Sequence, residues 1–417
     1  MFYERFDKVK FMKKKTVCVI GLGYIGLPTA ALIANKGFLV SGIDVDENVV
    51  STINKGEIHI VEADLEASVK SAVSSGQLKA FDTIQQSDIY MICVPTPFHK
   101  NNDIPKPNID FVLSATKSIA KFIKSGDLII LESTSPVGTT EKIQQTLINC
   151  GANLEDVHIA YCPERVLPGK IMTELVENDR IIGGLKAIST KKVMDFYRLF
   201  VDGKILETDA KTAEMCKLAE NSFRDLNIAF ANELSMICVK HGINVWNLIK
   251  LANQHPRVNI LQPGTGVGGH CIAVDPWFIV SQDMKNTKLI RTAREVNNYK
   301  TKWVINKIKS RLDKCIPKNG NKPKIACLGL AFKPDIDDLR ESKALEVVET
   351  LLSEGHEIYA VEPNIQSHKN LQTLNLSNAI EQADIICILV KHREFLQSEI
   401  KEKLIKCEAL DFCGALS

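Results

Sequence analysis

Residues 16–20, TVCVI, run straight into GLGYIG, and an apolar helical stretch, PTAALIANKG, follows. Strand, glycine turn and helix in that order leave few folds open, because such a turn needs backbone that glycine alone adopts freely. Gly21, Gly23 and Gly26 form GxGxxG. The first closes the turn, the second lets backbone approach a pyrophosphate, and the helix N-terminus faces its charge. Asp44 ends the next strand, FLVSGIDVD, eighteen residues after Gly26. There it fits a hydrogen bond to a ribose 2′-hydroxyl and predicts NAD as cofactor rather than NADP, whose phosphate the carboxylate repels. Glycine turns of this kind occur in unrelated α/β proteins too; the flanking strand, helix and acidic residue separate this one from them. Thr96 in VPTP and Thr134 in ESTSPVG follow further strand ends, where ligands bind in such sheets.

SDIYMICVP (87–95), DLIILEST (127–134) and VHIAYCPE (157–164) read as strands, with helical patterns such as IDFVLSATKSIAKFIKSG between them. That alternation predicts a parallel, doubly wound sheet. From Ala210 to His241 there is neither Pro nor Gly, and the run is apolar on more than one face, which predicts one long buried helix. A glycine-rich loop, PGTGVGGHC (263–271), interrupts before a second long helical pattern over 284–314. IPKNGNKPK (316–324) has a linker's composition and puts a boundary near 318.

The opening order then recurs: KIACLGLAF (324–332), EIYAVEP (357–363) and ADIICILV (383–390) match the first three strands in sequence. In this second unit the glycine signature has decayed to GLAFKP, so a ligand other than a dinucleotide is expected. The fold class is therefore α/β, with two Rossmann-like doubly wound parallel-sheet domains joined by a long central helical segment. The expected divisions are 1–209, 210–317 and 318–417, with 1–11 a poorly ordered extension ahead of Met12. The length of 417 residues agrees, giving a prior of about 2.8 domains.

Twelve cysteines are scattered with no CxxC pair, which argues against a zinc module or a redox CxxC site, and no metal is expected. Cys18, Cys93, Cys327 and Cys387 lie in apolar strand runs, where a thiol is a small hydrophobe in a reducing compartment. The 52 basic and 50 acidic residues are mixed along the chain, so neither a nucleic-acid nor a membrane-surface footprint is read. The charged start, MFYERFDKVKFMKKK, lacks the apolar core of a secretory signal, and no run reaches transmembrane length. A cytoplasmic protein is expected.

Glycines surround Cys271 in GTGVGGHCIAVDP, leaving it on an open loop where a nucleophile suits, although most cysteines in such a chain are packing. A free thiol has a pKa of about 8.5, so attack at neutral pH needs a cationic neighbour or backbone N–H groups. Lys217 and Asn221 are one helical turn apart, with Arg224 further along the same side. They form either a solvated face or a group that polarises an oxygen, with lysine facing a developing oxyanion and the amide fixing direction. Asp275 is placed to pair with Lys217 or to orient water. Glu164, ending a strand in YCPERVLPG, is either an exposed loop charge or an acid/base group. Arg257 in NQHPRVN, and Lys333 and Arg340 in AFKPDIDDLRES, suit phosphate contacts or are solvated loop charges.

Together these stretches resemble the UDP-glucose/GDP-mannose dehydrogenase family from Lys15 to about Phe395. VIGLGYIGLPTA, VPTPF, ILESTSPVGTTEK, AYCPERVLPG, TAEMCKLAENSFRDLNIAFANELS, HPRVNILQPGTGVGGHCIAVDPWFIV and LAFKPDIDDLRES carry the resemblance. It implies a two-step, four-electron oxidation at C6 of a UDP-sugar with two NAD and no metal. Cys271 would attack the C6 aldehyde to give a thiohemiacetal and then a thioester that water hydrolyses. Lys217 would act in proton transfer and oxyanion stabilisation, supported by Asn221 and Asp275, and Glu164 matches the family's acid/base glutamate. Tyr24, Ile25, Asp44, Thr96, Thr134 and Arg340 would contact NAD. Arg165, Val166, Lys217, Asn221, Arg224, His255, Arg257, Gly268, Phe332 and Lys333 would line the UDP-sugar site. A homodimer is implied as well, with Arg257 reaching into the neighbour's site.

Two departures narrow the substrate. Glucose-type members carry a second glutamate four residues after the first, where this chain has Pro168, and FPKD after the cysteine, where it has IAVD, so Val274 replaces a lysine. Both fit the N-acetylated branch. The expected substrate is a UDP-N-acetylhexosamine, of manno configuration first with gluco and galacto as alternatives, whose uronate product feeds a surface polysaccharide. The rival from another class is a nucleotide-binding module that kept the fold and lost catalysis. Cys271, Lys217, Asn221 and Asp275 occurring together speak against it.

Overall fold

In the computed structural model, which describes residues 15–99, 104–269, 271–317, 322–365, 371 and 373–417, the chain divides into two compact units, Met1–Leu218 and Ala219–Ser417. The extension expected over 1–11 and the boundary expected near 318 lie outside the described residues. Among the described residues the first unit has eight strands. They are β1 (Thr16–Ile20), β2 (Leu39–Ile43), β3 (Leu78–Phe81), β4 (Ile89–Ile92), β5 (Leu128–Leu131), β6 (His158–Tyr161), β7 (Arg180–Gly184) and β8 (Ile205–Asp209). Its helices are α1 (Gly26–Asn35), α2 (Glu47–Asn54), α3 (Leu65–Ser74), α4 (Asp110–Ile119), α5 (Thr139–Asn149), α6 (Ile171–Glu177) and α7 (Ala187–Tyr197). The strand order is β3-β2-β1-β4-β5-β6-β7-β8.

Alternation along the strands shows why the sheet is covered on both faces. Val17 and Val19 of β1 join one core with Leu27, Ile33 and Phe196, while Cys18 and Ile20 join another with Val112, Ile143 and Leu147. Strands buried on both faces read as unbroken apolar runs, which is why β1, β4 and β5 were legible. Three strands were not. β3 is four residues long, β8 is polar and half exposed, and β7 ends in a glycine pair and pairs antiparallel with β6, outside the parallel crossover pattern. Gly183 is required there, because a Cβ would collide with the Asp209 carbonyl of β8.

Helix α8 (Ala210–His241) spans the division between the units and matches the expected limits. Asp209 caps its start, its carboxylate accepting the Thr212 N–H (3.0 Å) and hydroxyl (2.6 Å). Gly242, at φ +67°, ends it; Gly242 N–H donates to Val239 O and Ile243 N–H to Cys238 O, a Schellman arrangement. The helix is not buried all round as its apolar content implied: Phe223 is 69% exposed, Phe230 48% and Ile237 50%.

The second unit continues with α9 (Val245–Ala252), α10 (Asp275–Gln282), α11 (Lys288–Leu312), β9 (Lys324–Leu328), α12 (Lys343–Ser353) and β10 (Glu357–Val361). It ends with α13 (Leu376–Gln382), β11 (Ile385–Ile388), α14 (Ser398–Lys406) and β12 (Leu410–Asp411). Its parallel sheet has the order β10-β9-β11-β12. Ile325 and Cys327 face a core that includes Val304 and Ile308 of α11, and Ala326 and Leu328 face the opposite one. The expected fold, two parallel-sheet α/β units with a long central helix, is the one observed.

Lys300 of α11 is buried, its Nζ 2.6 Å from Ser235 Oγ of α8 and 4.2 Å from the Trp303 ring centroid. Burial pulls its pKa down to about 7. The unfolded chain therefore holds a proton that the folded one lacks from about pH 7 up to the ordinary lysine value. The penalty is fully present below that window and fades as pH rises through it. Lys300→Met is expected to stabilise the protein at pH 6.5, with the advantage shrinking by about 1.4 kcal/mol per pH unit above pH 7. Urea unfolding of both proteins at pH 6.5, 7.5 and 8.5 measures this; a difference independent of pH sinks it.

Candidate active site

Between β1 and β4 the strand order reverses, and the crevice outside the carboxyl ends of strands at such a switch point is where open α/β sheets bind ligands. The glycine turn sits there. Gly21, at φ +90°, donates its N–H to Ile43 O (2.8 Å), and a Cβ on it would lie 2.9 Å from Cys93 O. A Cβ on Gly26 would fall inside the Gly21 carbonyl, whereas Gly23 faces open space. The first and third glycines thus serve packing, and the second leaves room for a ligand's approach. No side chain caps α1 at Ile25, so the positive end of the helix dipole is left for an anion. Asp44 is bound into the turn, with Oδ2 accepting Leu22 N–H (2.9 Å) and Oδ1 accepting Asp46 N–H (3.1 Å). Tyr24 and Ile25 are half-buried beside it. Thr96 and Thr134 come together, the Thr96 hydroxyl donating to Thr134 O (2.6 Å). These residues fit a dinucleotide.

Just past the ends of β4, β5 and β6 lies a buried polar cluster that the sequence did not reveal. Glu164 is not an exposed loop charge: its Oε2 is in an ion pair with Arg180, both side chains nearly inaccessible, and its Oε1 accepts Arg165 N–H (2.7 Å). Arg180 also donates to Leu175 O (2.8 Å) and stands over the Tyr197 ring. Glu132 accepts the Tyr197 hydroxyl (2.5 Å) and the Cys93 thiol (3.2 Å). Burial first, then the charge of Glu164, pushes the Glu132 carboxyl up to about 7. Arg180, ion-paired with Glu164, offsets part of that rise. The signal that was available is Glu132 itself, a charge ending the apolar run LIIL. Arg165 and Val166 follow Glu164 on a loop tied down by Glu62, which accepts Gly169 N–H (2.8 Å) and Ile171 N–H (2.9 Å).

In the second unit the structure joins two of the sequence-derived residues directly: Asn221 Nδ2 donates to Asp275 Oδ2 at 2.5 Å, both side chains buried. Cys271 is exposed one turn before α10, its carbonyl accepting Val274 N–H (2.9 Å) and Asp275 N–H (2.8 Å). Lys217 is half-buried one turn ahead of Asn221 on α8, and Arg224 is exposed beyond it. His255 and Arg257 are exposed after α9, Arg257 N–H donating to His255 Nδ1 (3.3 Å). Gly268 is pressed against the Glu341 carbonyl and Phe332, so that the glycine-rich loop lies on the segment holding half-buried Lys333. Arg340 is exposed and paired with Asp338 (2.5 Å).

The second turn repeats the first in backbone and differs in side chains. Gly329, also at φ +90°, donates to Val361 O (2.8 Å), and Glu362 stands where Asp44 stands in the first unit. Glu362 accepts Leu330 N–H (2.7 Å), Ala331 N–H (2.9 Å), His392 Nε2–H (3.1 Å) and both Asn364 N–H groups. Burial raises this carboxyl, but the His392 and backbone hydrogen bonds outweigh it and hold it at about 2. Saturated in this way, it has nothing to offer a ribose. Asp335, His392 and Glu394 lie close enough to share a cation, yet His392 Nδ1 already accepts Asp335 N–H (3.0 Å) and Nε2–H faces Glu362. The imidazole therefore has no lone pair to give a metal.

Fold and site define a dinucleotide-dependent dehydrogenase with a second nucleotide-binding sheet. The chain belongs to the UDP-glucose/GDP-mannose dehydrogenase family, matching its NAD-binding domain over 15–201, its central domain over 211–299 and its UDP-binding domain over 326–415. It is an NAD-dependent oxidoreductase. Among its relatives is a UDP-N-acetyl-D-mannosamine dehydrogenase of Campylobacter jejuni, 53% identical over 94% of this chain and 98% of that one. An NDP-N-acetyl-D-galactosaminuronic acid dehydrogenase of Ralstonia nicotianae is 49% identical over 91% and 92%. The structure of a UDP-D-ManNAc dehydrogenase from Pyrococcus horikoshii superposes with TM-score 0.87 at 37% identity, covering 96% of each chain.

The second and third glycines separate folding from binding. Gly23→Ala is expected to keep the wild-type Tm and lose roughly tenfold or more in NADH affinity, read by nucleotide fluorescence, because the methyl occupies the approach to the pyrophosphate. Gly26→Ala is expected to lower Tm as well. Normal NADH binding by Gly23→Ala would remove this turn from the cofactor site.

Proposed function

We propose that this chain oxidises UDP-N-acetyl-D-mannosamine at C6 to UDP-N-acetyl-D-mannosaminuronate, consuming two NAD and one water and releasing two NADH. The observation that carries the reading is the buried Asn221–Asp275 pair beside the loop that presents Cys271. NAD, when bound, accepts one hydride in each oxidation. The first step takes a hydride from C6 and the hydroxyl proton, leaving an aldehyde. Cys271 Sγ then adds to that carbon as a proton reaches the carbonyl oxygen in place of the one the thiol gives up, giving a thiohemiacetal; loss of its C6 hydride together with its hydroxyl proton forms a thioester. Water breaks the C–S bond, freeing the carboxylate and restoring the thiol.

Lys217 offers positive charge to the oxygen that develops in each step, and Asn221, its amide directed by Asp275, fixes where that oxygen sits. Glu164 is the acid/base group in this scheme, held by Arg180 until substrate arrives. The Gly21–Gly26 turn with Asp44, Thr96 and Thr134 holds the cofactor. Arg165, Val166, Arg224, His255, Arg257, Gly268, Phe332 and Lys333 are assigned to the UDP-sugar, and Arg340 to the cofactor. In functional terms the segments are 1–209 for NAD, 210–317 for catalysis and association, and 318–417 for UDP.

Pro168 and Val274 support an N-acetylated sugar over glucose, and the Campylobacter relative supports the manno epimer. The Ralstonia relative keeps a galacto substrate as the second reading. Exposed Phe223, Phe230 and Ile237 recur every seven residues on α8, the spacing of a helix face that meets another helix, and we assign that face to a second copy of the chain. The product is assigned to a surface polysaccharide. Cys18, Cys162, Cys327 and Cys387, packed into the cores, suit a cytoplasmic enzyme.

Separate assays with UDP-ManNAc, UDP-GlcNAc, UDP-GalNAc and UDP-glucose should give fastest turnover on UDP-ManNAc, with about two NADH formed per sugar. A faster alternative sugar overturns the substrate, and a ratio of one overturns the thioester route. Cys271→Ser should bind NAD and UDP-sugar but stall; full turnover refutes the covalent step. By light scattering the wild type should be a dimer and Phe230→Asp a monomer, and equal masses would refute the α8 interface.

A further inference from the structure

The loop that carries Cys271 is rich in glycine. Gly264, Gly266, Gly268 and Gly269 supply no side chains to anchor it, and glycine loses more conformational freedom on ordering than any other residue. Its polar backbone groups are held instead from α8 and α11. Asn232 Oδ1, fully buried, accepts Gly264 N–H at 2.9 Å, and the Thr301 hydroxyl donates to Thr265 O at 3.2 Å. Gly266 passes so near α11 that a Cβ would lie 2.5 Å from Thr301 Oγ1. The Thr265 hydroxyl in turn donates to Leu389 O at the end of β11 (2.7 Å).

An amide can present oxygen or nitrogen, so something must orient Asn232. Asp225, ion-paired with Arg294 at 2.6 Å, can only accept. Asn297 must therefore point Nδ2 at it, at 2.7 Å, which turns Asn297 Oδ1 toward Asn232. Asn232 answers with Nδ2 at 2.9 Å, leaving its Oδ1 for Gly264. Asp225 and Asn232 are two turns apart on α8, and Arg294, Asn297 and Thr301 share one face of α11, so both helices present the chain along their common seam.

We propose that Asn232, oriented through Asn297 by the Asp225–Arg294 ion pair, is a positioning residue that sets where the glycine-rich loop holds Cys271. The inference rests on Cys271 being the nucleophile. It assigns function to a buried network that touches neither cofactor nor substrate in the scheme above.

The test uses the full-length enzyme with UDP-ManNAc and NAD. Asn232→Leu and Asn297→Leu should each lower kcat by about 10- to 100-fold, the size expected of a displaced reacting group, with both KM values within about threefold of wild type. Asn297 lies one residue removed from the loop, so its effect tests the orientation argument. The double variant should be no worse than the poorer single, since both act through one bond. Thr301→Val, nearly isosteric, should show a smaller fall in kcat and keeps the test alive if the Leu variants do not fold. Wild-type kcat in folded variants, or kcat and NAD affinity falling together with Tm, overturns the proposal. Cys271→Ser as a control tells the cases apart: full turnover there refutes the nucleophile itself, whereas a stalled Cys271→Ser with an unaffected Asn232→Leu refutes this inference alone.

Discussion

In each unit a glycine in left-handed backbone closes the turn after the first strand, and an acidic residue from the neighbouring strand accepts the N–H that follows. The turn cannot close with a side chain at Gly21, because Cys93 O stands in the way, and without the turn α1 could not start where its N-terminus meets the crevice. Asp44 and Glu362 perform the same structural act. What differs is how much of each carboxylate is left over. Asp44 accepts two backbone N–H groups and stays half-buried, whereas Glu362 is enclosed by His392, Asn364 and two N–H groups of its turn. One repeated backbone thus supports an NAD-binding domain and a UDP-binding domain, and the side chains around the turn account for the divergence.

Buried polar groups do much of the work that glycine-rich, loop-borne sites cannot do for themselves. In the first unit Arg180 holds Glu164 while Glu132, lacking a cation of its own, shares hydrogen bonds with Tyr197 and Cys93. In the second, Asn221 and Asp275 satisfy one another, and the α8–α11 seam holds the loop ahead of Cys271. Burying such groups is tolerable only when their partners are complete, which makes each network rigid and directional.

Much of this was legible in the chain. The glycine turn, the acidic residue after β2, the limits of α8 and the recurrence of three strands after the linker all depend on local backbone requirements or on strands buried on both faces. Those leave plain marks in composition and spacing. β3, β7 and β8 left none, being short, glycine-ended or polar. The exposed stripe of α8 was hidden because apolar content does not say what covers it.

The sequence by itself therefore determined the two-sheet architecture and the dinucleotide turn, because turns, caps and doubly buried strands are specified by neighbours in the chain. Only the tertiary structure decided that Glu164 is locked to Arg180, that Asp275 answers Asn221, that Glu362 is saturated and that Asn232 faces the loop of Cys271. Those facts depend on which side chains meet across sixteen, fifty-four, thirty and thirty-two residues, and hydrogen-bond partners at that range are chosen by packing geometry that no local pattern records.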